Sequence, residues 1–220
     1  TQPPPGDFAA VYNKLAKETD EILVITVSSK LSGTYEAALN ARSLVEAKCR
    51  IEVINSMTVV MGLGLIVIAA VKAAKAGANL DSLVALVNRH IPKSHSIMYF
   101  DTLKYLAKGG RIGKAKELVG SLLSVKPILT LRDGEVHPRT QVRSRTAGID
   151  YLYKFAAGFS RIAELAVEHA TTPEDADLLV KRLGAIFPAE RIYRSTVSPV
   201  IGTYAGPNVL SVTALEADEK

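Results

Sequence analysis

At 220 residues the chain is long enough for one large domain or two small ones with a sizeable core. Its apolar share of 48%, charged share of 22% and net charge of +5 fit an ordinary globular protein, and the scattered basic residues give no nucleic-acid footprint. The single cysteine, Cys49, excludes an internal disulfide and fits a reducing compartment, while the longest apolar run, 59–71, is too short to span a bilayer.

The elements follow in chain order. Thr1-Gln-Pro-Pro-Pro reads as an extended linker, and Asp7 opens a helical pattern with a stripe of Phe8, Val11, Tyr12 and Leu15. Residues 21–27 form an almost wholly apolar strand of the kind buried on both faces. A hydroxyl-rich turn follows, with Ser32 suited to cap a helix running to about residue 48. Residues 51–54 are a second buried strand. Residues 58–75 form a long apolar helix closed by Gly77, and Asn79 or Asp81 starts another that reaches Arg89. This alternation predicts a doubly wound, mainly parallel α/β domain over 1–91.

After Pro92 the pattern changes. A strand at 96–100 precedes a short helix at 101–110 and a helix at 114–122. Asp133-Gly134 joins strands 126–131 and 135–142 into a hairpin. A helix at 146–157, a strand at 161–169, a helix from Pro173 to residue 186 and a strand at 191–197 follow. A glycine-containing polar loop at 199–207 leads to a last strand at 209–215. The hairpin makes 92–220 an α+β domain with a mixed sheet, so two domains are expected, with the boundary near 91–93.

Three places carry candidate chemistry. Ser28, Ser29, Ser32 and Thr34 surround Gly33 at a strand-to-helix turn, where unpaired backbone N–H groups favour an anion; the plainer reading is a helix cap. There is no phosphate-loop lysine and no dinucleotide fingerprint. Lys108-Gly-Gly-Arg-Ile112 presents Arg111 either as a fork for a carboxylate or phosphate, or as a solvated residue after a helix. The 201–207 loop offers Thr203 and Tyr204, or is a plain connection. Cys49 reads as a structural thiol, and the four histidines lack metal-ligand spacing, so no metal is expected. Carboxylates fall mainly on helix faces and loops, and no general acid–base pair stands out. The apolar helix at 57–71 is core or the wall of a tunnel.

Taken together, Ser-Ser-Lys-Leu-Ser-Gly-Thr-Tyr at 28–35, Asp101-Thr-Leu-Lys-Tyr-Leu-Ala-Lys-Gly-Gly-Arg-Ile112 and Ile201-Gly-Thr-Tyr-Ala-Gly-Pro207 closely resemble the DegV family of bacterial fatty-acid-binding proteins. Met61-Gly-Leu-Gly-Leu65 and the 121–135 stretch strengthen the likeness, which extends over essentially the whole chain. The resemblance implies a two-domain carrier rather than an enzyme, with a long-chain fatty acid such as palmitate, stearate or oleate between the domains. Its acyl chain would lie in an apolar tunnel and its carboxyl group would meet hydroxyls. It further implies no cofactor, a cytoplasmic location, no stable membrane insertion, and presentation of the acid to a separate fatty acid kinase that feeds phospholipid synthesis.

By position, Ser32 with Gly33 beside it matches the carboxyl-contacting serine, and Ser29 belongs to the same hydroxyl cluster. Thr1 falls in the family's Thr/Ser-Gln-Pro motif. Arg111 matches the arginine of the Gly-Gly-Arg-Ile motif, and Thr203-Tyr204 the last loop, where many members have His in place of Tyr204. The family's first segment, with its Asp-Ser-Thr turn, is expected to be missing from this sequence. Two other readings stand beside the carrier: an enzyme acting on a small anionic metabolite through the Ser cluster and Arg111, and an interaction protein docking through the basic 139–145 segment.

Overall fold

The computed structural model describes residues 2–46, 48–118 and 125–218; Thr1 and the end of the helix expected at 114–122 lie outside them. The chain opens with helix α1 (Pro5–Leu15), which starts on a proline, where the missing N–H removes no helical hydrogen bond. Strand β1 (Glu21–Thr26), helix α2 (Thr34–Asn40) and strand β2 (Arg50–Asn55) follow. β1 and β2 pair in parallel, with Ile22 opposite Ile51 and Val24 opposite Val53. Tyr12 of α1 is buried against this pair, and its hydroxyl donates to the Ala38 carbonyl at 3.1 Å. The helix expected to reach residue 48 is shorter. It passes at Ala41 into a 3-10 turn that ends at Leu44, where Ser43 Oγ donates to the Asn40 carbonyl at 2.8 Å. Ser and Asn compete with helical backbone bonds in this way.

Helix α3 (Met61–Lys75) explains its own composition. Leu65 packs with Ala166 and Leu215 of a second sheet, while Ile66 and Ala70 pack with Val87, Leu23 and Ile25 on the side of the first. A helix covered on both sides has no need of a polar face. Helix α4 (Leu80–His90) is capped by Asn79, whose side chain accepts from Ser82 N at 2.9 Å.

The second sheet contains β3 (Ser94–Tyr99), β4 (Lys126–Arg132), β5 (Glu135–Val142), β6 (Ile162–His169), β7 (Tyr193–Thr196) and β8 (Leu210–Glu216). Helix α5 (Lys104–Lys108) follows β3, α6 (Arg145–Ala157) follows β5, α7 (Pro173–Leu183) follows β6, and α8 (Pro199–Ala205) follows β7. The strand order is β5-β4-β3-β8-β6-β7. Only β6 and β7 run parallel within it; the other neighbours are antiparallel. Leu152 of α6 with Leu179 and Leu183 of α7 cover one face. Met98, Phe100, Leu129 and Val209 look the other way, toward α5 and α8.

Three expectations change. The first sheet has two parallel strands among the described residues, so the fold is mixed α/β rather than an extended doubly wound sheet. The stretch expected to be a helix at 114–122 is a 3-10 turn over Gly113–Leu118 in its described part. The loop expected at 199–207 is helix α8: Ser198 caps it by accepting from Ile201 N, Pro199 occupies the first turn, and Gly206 closes it at φ +80. Ser-Pro is a helix-start signal that the glycines on either side of Thr203 obscure.

Within the basic 139–145 segment, Arg139 and Arg143 are exposed but Arg145 is engaged in the fold. Arg145 donates to Asp175 Oδ2 at 2.6 Å, to the Asn208 carbonyl at 2.6 Å and to Thr172 Oγ1 at 2.8 Å, and its guanidinium lies over the Tyr99 ring. It clasps α6, α7 and the segment before β8. Arg145→Ala is therefore expected to lower unfolding stability by roughly 2–3 kcal/mol, because charged hydrogen bonds are lost and their partners left unpaired. Urea denaturation of the variant checks this.

Candidate functional site

The turn after β1 is anchored to the second sheet. Ser28 is fully buried, and its Oγ donates to the Gly134 carbonyl at 2.8 Å. Gly134 sits at φ +79 in the two-residue β4–β5 turn, and a Cβ there would strike Ser28 Oγ. Ser29 is held from the other side: Asn55 Nδ2 donates to its Oγ at 2.7 Å, and its own N–H donates to Asn55 Oδ1 at 3.2 Å. These bonds fix the turn over the apolar face of the second sheet.

A cavity of about 720 Å³ opens between them. Val27, Leu31, Val59 and Leu63 form one wall; Met98, Phe100, Leu131, Val136 and Val209 form another; Ile201 and Ala205 of α8 close the side. This volume falls within the ~300–1,000 Å³ typical of small-molecule sites. The wall is overwhelmingly hydrocarbon, so a guest must be largely apolar.

Ser32, Arg111 and Tyr204 all line this cavity although they are far apart in sequence. Ser32 Oγ lies 2.8 Å from Thr34 Oγ1 and accepts from Thr34 N at 3.3 Å. Ser32 is not the helix cap expected: Gly33 occupies that position and no side chain caps α2. Arg111 Nε donates to the Leu31 carbonyl at 3.1 Å, and Nη1 donates to the Gly109 carbonyl at 2.9 Å. Its guanidinium stands 5.1 Å from the centre of the Tyr204 ring. Backbone carbonyls and an aromatic face thus hold the cation beside the hydroxyls, a rigid arrangement for a carboxylate.

The other expected residues are placed differently. Gly33 supports the wall: a Cβ there would come within 2.6 Å of the Gln2 amide, which itself lines the cavity. Ser29 is engaged with Asn55 and is not among the lining side chains. Thr203 is an exposed residue of α8 whose Oγ1 donates to the Val200 carbonyl at 2.7 Å. Thr1 lies outside the described residues.

Sequence reasoning missed Glu168. It stands on β6, not on a helix face or loop as expected of the carboxylates, and it is 3% exposed. It lines the same cavity. Its Oε2 accepts from Met61 N, at the start of α3, at 3.0 Å and from Ser211 Oγ at 3.4 Å. Burial pushes its carboxyl up to about 7, against the pull of those two donors. The signal was a glutamate inside the most apolar part of the 161–169 strand. Two non-glycine residues with positive φ, Met57 and Val60, precede α3 here, and Val60 at φ 50 lines the cavity. Such conformations are costly for a β-branched side chain and concentrate at ligand sites.

Residues 1–217 match the family model described as "Uncharacterised protein, DegV family". The chain belongs to the DegV family. A DegV domain-containing protein of Caldanaerobacter subterraneus is 36% identical over 216 residues, spanning 96% of this chain and 76% of the relative. One from Streptomyces coelicolor gives the same figures. Among solved structures, a DegV-family protein of Thermus thermophilus described by its fatty acid binding superposes with a TM-score of 0.91 at 29% identity, over 99% of this chain and 78% of its own. DegV of Bacillus subtilis, described as a fatty acid binding protein, gives 0.86 at 28% identity, over 98% and 77%. No helix among the described residues is long and apolar enough to cross a membrane. No group of His, Cys, Asp and Glu among them could hold a metal ion.

Proposed function

We propose that this chain binds one long-chain fatty acid, such as palmitate, stearate or oleate, in the cavity beneath the Ser28–Tyr35 turn. The observation that carries this reading is the combination of about 720 Å³ of hydrocarbon-lined space with Ser32, Arg111 and Tyr204 at its wall. Each methylene removed from water contributes about 0.8 kcal/mol, so a long alkyl chain binds tightly with few polar contacts. Ser32 donates to the carboxylate and Arg111 supplies the countercharge. The Tyr204 ring keeps the guanidinium in place. We take the ligand to lie between an N-terminal unit, 1–91, and a C-terminal unit, 92–220, bridged by α3. Release follows presentation of the carboxyl end to a separate fatty acid kinase. A small anionic metabolite fits this space poorly, since it would leave most of the apolar wall uncovered.

Mass spectrometry of an organic extract of the purified protein tests the reading: a stoichiometric long-chain acid is expected, and a protein that is empty and takes up no added acid would sink it. Ser32→Ala is expected to weaken binding roughly fivefold, the worth of one hydrogen bond of about 1 kcal/mol. Unfolding stability should change little, since no side chain caps α2. Unaltered affinity with a stability loss of about 1 kcal/mol would make Ser32 a turn residue only.

A further inference from the structure

Ser195 of β7, Glu168 of β6 and Ser211 of β8 stand opposite one another across three adjacent strands. All three line the cavity. They form a polar row on the sheet, carried by different elements from the Ser32–Arg111–Tyr204 group. Within the row the Glu168 carboxyl is asymmetric. Oε2 receives both Met61 N and Ser211 Oγ, while no donor of the described residues reaches Oε1. The side chain is nevertheless almost entirely withdrawn from solvent, at 3% exposure. Oε1 is not one of the buried polar atoms left without a partner, so it meets solvent in the cavity; a plain alkyl chain lying over it would strip that solvent away and cannot replace it. An alkyl chain carrying a hydroxyl at that point can.

We infer that Glu168 is a specificity-determining residue, and that the site selects acyl chains bearing a hydroxyl group along their length. The inference rests on the fatty-acid reading above. The ligand hydroxyl donates to Oε1, and Ser195, opposite Glu168 in the sheet register, lines the same stretch of wall. No bond is made or broken. The contribution to affinity is the difference between a satisfied and an unsatisfied carboxylate oxygen.

The test compares stearate with a series of hydroxystearates whose hydroxyl is moved along the chain, using displacement of a fluorescent fatty acid well above pH 7, where Glu168 is mostly ionised. At least one isomer is expected to bind the wild type about tenfold more tightly than stearate, the scale of a hydrogen bond to a charged group. E168L removes that margin by weakening the hydroxylated acid and tightening stearate, which no longer lies over an ionised carboxyl. E168Q keeps an acceptor for Met61 N and guards against a folding defect in the leucine variant. Its margin should not change across pH 7, whereas the wild-type margin should widen as the pH rises. Equal affinities for every isomer and for stearate, unchanged by either variant, overturn the inference alone and mean that solvent satisfies Oε1. Absence of binding by stearate and all its derivatives overturns the fatty-acid reading and this inference with it.

Discussion

Replacing Leu63 with tryptophan is expected to weaken stearate binding about 100-fold while leaving short-chain acids nearly unaffected. Leu63 is a half-buried residue of α3 that lines the cavity without belonging to the packed core on either side of that helix. An indole there occupies space that the acyl chain needs. Excluding three or four methylenes, each worth about 0.8 kcal/mol, removes roughly 3 kcal/mol of binding, which is a factor of about 100. The carboxyl contacts proposed at Ser32 and Arg111 are untouched, so an acid short enough to stop before residue 63 is expected to keep its affinity. Titration of an acyl-length series against wild type and variant, with thermal melting as a control for overpacking, reads the effect. A uniform loss across all lengths would place the obstruction at the head group instead. No loss at any length would move the chain out of this cavity.

The parts of this molecule that could be read from sequence are those governed by local rules. The β4–β5 hairpin follows from Asp133-Gly134, which adopt φ +51 and +79 as a two-residue turn requires. The helix start at Asn79 or Asp81 and the β1 strand were also legible, but β1 is half-buried over 23–25 rather than buried on both faces, because its sheet has two strands among the described residues. Helix α8 was not, because Gly202 and Gly206 outweighed the Ser198-Pro199 start. Glu168 was not, because its environment is made by Met61 and Ser211, distant in the chain on either side. The 3.6-residue period of α3 could not distinguish a helix in the core from a cavity wall. In the structure it is both: Leu65 and Ile66 are core, while Met61 and Leu63 line the cavity. Ser32 and Arg111 stood out as residue types, but their meeting depends on the Ser28–Gly134 bond that sets the turn over the sheet.

Glu168→Gln should stabilise the folded protein at alkaline pH by up to about 3 kcal/mol and leave it unchanged in acid. The buried carboxyl titrates near 7 in the folded state, against 4.5 for an ordinary glutamate. Between those values the folded protein holds a proton that the unfolded chain has released. Stability therefore falls as the pH rises from 4.5 to about 7, and levels off above, where both states are ionised. Moving the titration from 4.5 to about 7 corresponds to about 3 kcal/mol. Desolvation is the dominant cause; Arg111 and Tyr204 are the other titratable groups lining the cavity, His169 is the neighbour along β6, and Glu164 on the same strand is paired with Lys72. Glutamine retains the carbonyl that accepts from Met61 N but cannot ionise, so its profile should lack this step. Urea denaturation across the pH range measures the difference between the two proteins; parallel curves would mean that Glu168 is solvated. The same proton couples to the ligand. An unsubstituted acyl chain lying over Glu168 removes more water from it and favours its neutral form. Binding of stearate to the wild type should thus take up a proton near pH 7 and weaken above it. The ligand's own carboxyl titrates equally in both proteins, so the difference between wild type and E168Q isolates the contribution of Glu168.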